Sequence, residues 1–339
     1  MDPLIQRLIL SDRELHITGA GDLAARARAL LRHQKETWPL LRTGYAGLAD
    51  VRTRTIDMDT CTLRVQWNPG RIVSSSANVD PDAIRRRKCF LCPANLPEEQ
   101  RGVLFASSFL VLCNPYPIFH EHFTIPHTTH TPQRIRPSFG TMLDLARAMA
   151  HGYLLTYNGP KSGASAPDHL HFQAGEKGFL PLEQEVADLL AKGEVLADIK
   201  ELQVIASDDG LRRFFSLRSA GKEPLIGALG GLESALAAAA GEVEEPMMNI
   251  LASFDRGEWT VLVFPRARHR PSMYFAEGEA RLLISPAAVD CGGVLTLPLE
   301  KDYLRISADH IREIFGEIFI PGPMFQTVCG TLAGILASR

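Results

Sequence analysis

The segment Asp168-His169-Leu170-His171-Phe172-Gln173 puts two imidazoles and a carboxamide at alternate positions, with apolar residues between them. Alternate side chains of a β-strand share a face. His169, His171 and Gln173 therefore point one way, while Leu170 and Phe172 turn toward a core. Just upstream runs Tyr157-Asn158-Gly159-Pro160-Lys161-Ser162-Gly163-Ala164-Ser165, rich in the small polar residues that suit phosphate oxygens. The combination fits covalent catalysis on a nucleotide phosphate.

Transfer of a nucleotidyl group divides into two easier displacements when a side chain takes the group first. A neutral imidazole nitrogen attacks phosphorus and later departs, because the phosphoramidate is labile. Its other nitrogen must be held so that the right tautomer faces the phosphate. Charge on the non-bridging oxygens must meet preorganised donors. On this reading His171 is the nucleophile, and Gln173 donates to a phosphate oxygen or to the leaving group. Asn158, Lys161, Gly163 and Ser165 line the phosphate pocket. An isolated His-x-His is more often a metal or structural pair; here the flanking loop and the glutamine shift the balance.

Cys89-Phe90-Leu91-Cys92 offers two thiols to one tetrahedral ion, and a closed structural zinc site needs about four N or S ligands. Two cysteines alone are a weak signal. The remaining ligands come from His120, His122, His127, His130 and His169. The preferred set is Cys89, Cys92, His130 and His169, with His127 competing for the third place. A redox role would need a thioredoxin-like βαβ context, which the pattern lacks.

These residues require elements to position them. Helical periodicity runs through Leu23 to Leu48, and alternation marks strands over Thr53 to Trp67. The turn signal Asn68-Pro69-Gly70 and a polar loop over Ser74 to Asn78 follow. Strands are expected at Phe109 to Cys113, Phe123 to Pro126 and Tyr153 to Tyr157, with a helix over Phe139 to Gly152. Leu182 to Leu202 reads as an acidic amphipathic helix, and Ala235 to Ala240 as an alanine-rich helix or linker. Trp259 to Phe264 is the clearest later strand, and a helix over Ala308 to Ile318 closes the pattern. The fold class is α+β on antiparallel strands. The expected division is a helical extension over 1–60, a catalytic half over 61–181, a helical connection over 182–245 and an α+β half over 246–339.

Composition bounds the partners. The chain has 339 residues, 45% hydrophobic and 22% charged, with a net charge of -3. That balance gives no reason to expect nucleic-acid binding. Basic residues do gather at Arg85-Arg86-Arg87-Lys88 and at Arg266, Arg268 and Arg270, where a compact phosphorylated ligand or plain surface charge fits. No membrane-span-length apolar run and no signal-peptide pattern is present. Six sparse cysteines suit a reducing cytoplasm rather than a disulfide scaffold.

The stretch Asn158 to Gln173 resembles the active-site motif of the transferase branch of the histidine-triad superfamily. That branch contains galactose-1-phosphate uridylyltransferase, diadenosine tetraphosphate phosphorylase and GDP-L-galactose phosphorylase. Gln66-Trp67-Asn68-Pro69-Gly70-Arg71 looks like the Asn-x-Gly-Arg segment of the last group, and Ser285 to Asp290 through Asp302-Tyr303 is similar to its C-terminal half. The resemblance implies a histidine-triad-like antiparallel sheet with flanking helices, in two related halves. It implies a covalent nucleotidyl group on His171, with Gln173 separating transferases from hydrolases. It also implies a structural Zn2+ on Cys89, Cys92, His130 and His169. Leu170 stands where uridylyltransferases have proline, which favours the phosphorylase side. The spacing from Ser165 to His169 departs from the uridylyltransferase loop and loosens the role of Ser165. The expected function is a nucleotidyltransferase or phosphorylase acting on a sugar nucleotide or dinucleoside polyphosphate, with phosphate or a sugar phosphate as acceptor. A nucleotide hydrolase and a zinc-stabilised nucleotide-binding protein are the alternatives, and a homodimer is left open.

Overall fold

The computed structural model describes residues 2–17, 21–77, 79–199, 201–241 and 245–338. Thirteen strands are found among them: β1 (Arg52–Asp57), β2 (Thr62–Trp67), β3 (Gly102–Phe105), β4 (Phe109–Cys113), β5 (His122–Pro126), β6 (Tyr153–Asn158) and β7 (His171–Glu176). The rest are β8 (Glu194–Ile199), β9 (Leu202–Asp208), β10 (Arg213–Ser219), β11 (Met248–Asp255), β12 (Glu258–Pro265) and β13 (Val294–Leu297).

Ten of them form one antiparallel sheet in the order β3-β4-β5-β7-β6-β11-β12-β10-β9-β8. The order contains a repeat. β3, β4 and β5 are followed by helix Phe139–Ala148 and then β6 and β7; β8, β9 and β10 are followed by helix Lys222–Ala240 and then β11 and β12. In both sets the last strand inserts between the third and the fourth. The two five-stranded halves meet where β6 pairs with β11, Asn158 opposite Asn249. The expected duplication is therefore present at the level of topology.

Strand alternation sends one set of side chains to each face. Phe123, Ile125, Leu170, Phe172 and Ala174 enter a core covered by helices Leu23–Thr37, Phe139–Ala148, Lys222–Ala240 and Gly322–Ala337. On the opposite face the seam and second half are covered by β1, β2, β13 and helix Ala308–Ile318. His122, Thr124, His171 and Gln173 belong to that second face, over the first half, where the cover leaves a cavity.

Three expectations need correction. The 182–245 stretch is not a helical connection: helix Leu182–Ala191 gives way to β8, β9 and β10 before helix Lys222–Ala240 begins. Val195 and Ile199 sit on the outer edge strand β8 and are exposed, so the apolar spacing there mimics a helix face. The boundary at residue 60 also cuts through a sheet, since β2 pairs with β1 on one side and, in parallel, with β13 on the other. Finally, Ile72–Ser75 is a short helix rather than a loop, and Asn78 lies outside the described residues. Helix Gly322–Ala337 carried no sequence signal, being apolar on most faces.

Candidate active site and metal centre

β6 and β7 pair from Tyr153 opposite Glu176 to Thr156 opposite Gln173, and there the ladder ends. Beyond it the strands part, and the buried Gln133 side chain fills the gap. Its Oε1 accepts from the His171 backbone N–H at 2.8 Å, and its Nε2 donates to the carbonyls of Asn158 (2.9 Å) and His171 (3.2 Å). One carboxamide thus substitutes for missing ladder bonds and fixes the backbone that carries His171. Sequence reading passed over Gln133, which sits in a proline-flanked turn with no pattern of its own.

The His171 ring is buried, 3% exposed. Its Nδ1 lies 2.8 Å from the carbonyl oxygen of His169. A carbonyl only accepts, so Nδ1 holds the proton and Nε2 keeps its lone pair. Burial, against the help of that carbonyl, lowers the imidazole to about 4. At neutral pH the ring is uncharged, in the tautomer that a nucleophile on phosphorus requires.

Gln173 is oriented in the same manner. The Nδ1 of His122 accepts from the Ile118 N–H at 3.2 Å, which places the His122 proton on Nε2. That Nε2–H donates to Gln173 Oε1 at 2.8 Å. With its oxygen occupied, Gln173 has its amide donors left for the cavity. Burial, then the charge of Arg71, lowers His122 to about 3, so this relay stays neutral. Gly175, opposite His122 in the register, makes room for it: a Cβ there would come within 2.4 Å of the Phe119 ring, which packs edge-on to His122.

His171, Gln173 and Ser165 open into a cavity of about 590 Å³. Its far walls are apolar, with Trp38, Leu40, Phe90, Leu91, Leu96 and Pro97, and its polar groups include Arg71, Arg87, Asn114 and Thr124. A concave apolar pocket with a few convergent polar groups suits a flat organic ring joined to a charged group.

Cys89, Cys92, His130 and His169 converge beside it, their ligand atoms all within 4.8 Å of one another. Cys89 Sγ lies 3.3 Å from His169 Nδ1, and Cys92 Sγ lies 3.3 Å from His130 Nδ1. Four ligands at about 2.0–2.3 Å from a tetrahedral ion would be about 3.3–3.8 Å apart. His169 Nε2 donates to the carbonyl of His127 at 2.8 Å, which frees Nδ1 to face both sulfurs. His130 Nε2 is backed by Asp168 at 3.8 Å, and Asp168 is paired with Arg87 at 3.1 Å. Burial, reinforced by Cys92, pushes the Cys89 thiol up to about 11, so thiolates there need a cation between them. The group could hold a metal ion. His127 contributes its carbonyl and turns its own ring to Thr129 and Thr131.

The expected phosphate loop divides. Ser165 lines the cavity, whereas Asn158, Lys161 and Gly163 do not. Asn158 Oδ1 accepts from Asn249 Nδ2 and from the Ala288 N–H, both at 2.8 Å, and so ties β6 to the second half. Gly163, at φ 93°, packs so closely on Ala287 that a Cβ would meet it at 2.8 Å. Lys161 borders a separate hollow with Arg134 and Glu245. Arg266 is spent as well: its guanidinium donates to Asn249 and to the carbonyls of Ile318, Pro286, Arg268 and His269. Arg268 pairs with Glu317. The segment that sequence reading offered to a substrate phosphate therefore holds the second half together.

Yeast Ap4A phosphorylase Apa2 in complex with AMP superimposes with a TM-score of 0.56 at 16% identity, over 86% of this chain and 97% of that one. The same enzyme in complex with Ap4A gives 0.55 at 15%, over 86% and 97%. The fold is that of Ap4A phosphorylase. The histidine-triad-like resemblance read from residues 158–173 holds at that level. A family model described as a domain of unknown function, DUF4922, matches residues 30–176, which contain the Cys89/Cys92/His130/His169 group and the His171 strand. Comparison with curated proteins finds no match. Among the described residues no helix is long and apolar enough to cross a membrane.

Proposed function

We propose that this protein is a nucleotidyltransferase that carries a nucleoside monophosphate on His171 Nε2 and passes it to phosphate or a sugar phosphate. The observation that carries the reading is the tautomer of His171: Nδ1–H given to the His169 carbonyl, and Nε2 free beside the amide of Gln173 in the cavity. The Apa2 complexes with AMP and Ap4A belong to a protein of the same fold and support a nucleotide substrate, such as a dinucleoside polyphosphate or sugar nucleotide.

In the first displacement the His171 lone pair forms an N–P bond and the bond from phosphorus to the bridging oxygen breaks, its electron pair leaving with the departing group. No proton transfer is needed, because Nδ1–H remains on the His169 carbonyl and steadies the charge that the ring acquires. The Gln173 amide donates to an oxygen that becomes more negative, and its fixed orientation removes the cost of reorganisation. In the second displacement the acceptor oxygen attacks phosphorus and neutral His171 departs. The apolar walls at Trp38, Leu40 and Leu96 hold the nucleobase and keep water from the phosphoramidate.

Cys89, Cys92, His130 and His169 would hold Zn2+, which when bound supplies a cross-link between the cysteine turn, the loop after β5 and the His171 strand. Six cysteines free of disulfides fit a reducing cytoplasm, the location we propose. Product analysis tests the reading: a screen of dinucleoside polyphosphates and sugar nucleotides should give turnover only when phosphate or a sugar phosphate is present, with a nucleoside diphosphate as the product of phosphate. A monophosphate regardless of either acceptor would mean a hydrolase, and nucleotide left intact with both acceptors present would mean a binding protein.

A further inference from the structure

A second cavity, of about 380 Å³, lies under the first turn of helix Leu182–Ala191 and shares no lining residue with the one at His171. Small-ligand sites typically enclose about 300–1,000 Å³. The floor is apolar: Leu154 of β6, Leu251 of β11, Leu262 of β12 and the Leu180 side chain are all buried. Strand register sorts what lies nearer the mouth. Toward the β11–β12 turn, one face changes from Leu251 opposite Leu262 to Ser253 opposite Thr260, and then to Asp255. The Ser253 and Thr260 hydroxyls line the cavity and have no hydrogen-bond partner among the described residues.

The mouth carries both signs of charge, fixed in place but not paired with each other. Lys177, the residue after β7, donates from Nζ to the carbonyls of Ala150 and Phe254, both at 2.9 Å. An ammonium has three protons, so one remains for a ligand. Glu183 accepts from the Gly178 and Leu180 N–H groups at 2.8 and 3.0 Å, one on each oxygen. Each carboxylate oxygen can accept a second donor. Lys177 and Glu183 feel each other's charge, yet among the described residues they form no ion pair. Asp255 is exposed and has Arg256 at 3.6 Å, so the mouth as a whole is close to neutral. Backbone partners already hold both charged heads, and a ligand that bridges them meets little further ordering cost.

We propose that this cavity is a binding site for an apolar α-amino acid of about leucine to phenylalanine size. The side chain lies among the four leucines. The α-carboxylate accepts from Lys177 and from the Ser253 and Thr260 hydroxyls, and the α-ammonium donates to Glu183. The ligand class follows from the charges. An apolar carboxylate alone would bring another negative charge to Glu183 and Asp255, and an apolar amine alone would face Lys177. A neutral apolar molecule would cover both charged heads without giving either a partner, which costs free energy. Only a zwitterion with an apolar tail meets both heads and the floor at once, through charge-assisted hydrogen bonds. Neither this site nor the nucleotide chemistry at His171 depends on the other.

The test is calorimetric titration of the full-length protein with L-leucine, L-phenylalanine and two truncated forms of leucine. One is 4-methylpentanoate, which lacks the ammonium, and the other is 3-methylbutylamine, which lacks the carboxylate. Wild type should bind leucine or phenylalanine saturably, at one site per chain. Each truncated form should bind about 10- to 100-fold more weakly than leucine, the scale of one lost charge-assisted hydrogen bond. In Lys177→Met the affinity for leucine should fall to that for 3-methylbutylamine. In Glu183→Gln it should fall to that for 4-methylpentanoate. A wild type that binds neither amino acid at millimolar concentration would overturn the inference. So would truncated forms that bind wild type as tightly as leucine, and both results are readable even if the variants fail to fold. Folded Lys177→Met and Glu183→Gln proteins that keep wild-type affinity for leucine would overturn it as well.

Discussion

The Nδ1–H of His171 donates to the backbone carbonyl of His169 at 2.8 Å, while the Nδ1 of His169 faces Cys89 and Cys92 at 3.3 and 3.6 Å. Two histidines two positions apart, His169 just before β7 and His171 at its first residue, thus have different tautomers. The backbone of the proposed metal ligand is also the acceptor that sets the tautomer of the proposed nucleophile, so whatever fixes His169 fixes the free nitrogen of His171.

Metal content follows from that arrangement. Protein purified without chelators should contain about one Zn2+ per chain, the occupancy of a closed four-ligand site. Cys89→Ser should lower the Tm by about 5 °C or more, because binding energy at such a site is folding energy. Metal analysis and calorimetry check both. A metal-free wild type with an unchanged Tm in Cys89→Ser would remove the site.

His122 and Gln173 should act as one unit. Gln173→Ala is expected to slow nucleotidyl transfer by about 10²- to 10³-fold, the usual cost of one preorganised donor. His122→Phe frees the amide to rotate and should cost about tenfold. The double variant should be no slower than Gln173→Ala alone, since the second change removes only an orientation already lost. Additive losses in single-turnover assays would show that His122 acts elsewhere.

Acid should expose His122. Burial holds the folded imidazole down to about 3, against about 6.5 in an unfolded chain. The unfolded state takes up a proton below about pH 6.5 and the folded state only near 3. Stability from neutral His122 is therefore complete above about pH 6.5 and lost progressively as the pH falls. His122→Gln does not titrate, so the gap between wild type and variant should narrow as urea midpoints are taken from about pH 8 to about pH 5. A constant gap would contradict the assignment.

Gln133 should matter more than its turn position implies. Gln133→Leu leaves the Asn158 carbonyl and the His171 N–H without partners, at a cost of about 1–3 kcal/mol. Turnover should fall with it, because the His171 backbone is no longer held. Equal stability and equal turnover in denaturation and rate measurements would assign the gap between β6 and β7 to something else.

Much of this was legible in the chain because it depends on local order. Period-two spacing put His171 and Gln173 on one face with Phe172 in the core, whereas His169 lies before the strand begins and faces Cys89 and Cys92; the strands at residues 109–113 and 153–157 showed as apolar runs. The edge strand β8 did not, since its Val195 and Ile199 spacing imitates a helix next to a real one. The residues that orient the site, Gln133, His122, Asn249 and Arg71, lie 38 to 100 positions from His171 and carry no spacing signal. Their roles exist only once the sheet brings β5, β6, β7 and β11 together. For the same reason Asn158 and Gly163 read as phosphate ligands in the sequence and serve in the fold as the seam to the second half.

The central claim is a covalent bond from His171 Nε2 to a nucleotide. Protein mixed with diadenosine tetraphosphate or a panel of sugar nucleotides, without phosphate, and quenched in base should show by intact mass one added nucleoside monophosphate. Peptide mapping should place it on His171, and His171→Ala should show neither adduct nor turnover. A His171→Ala protein that turns over at the wild-type rate would contradict the account.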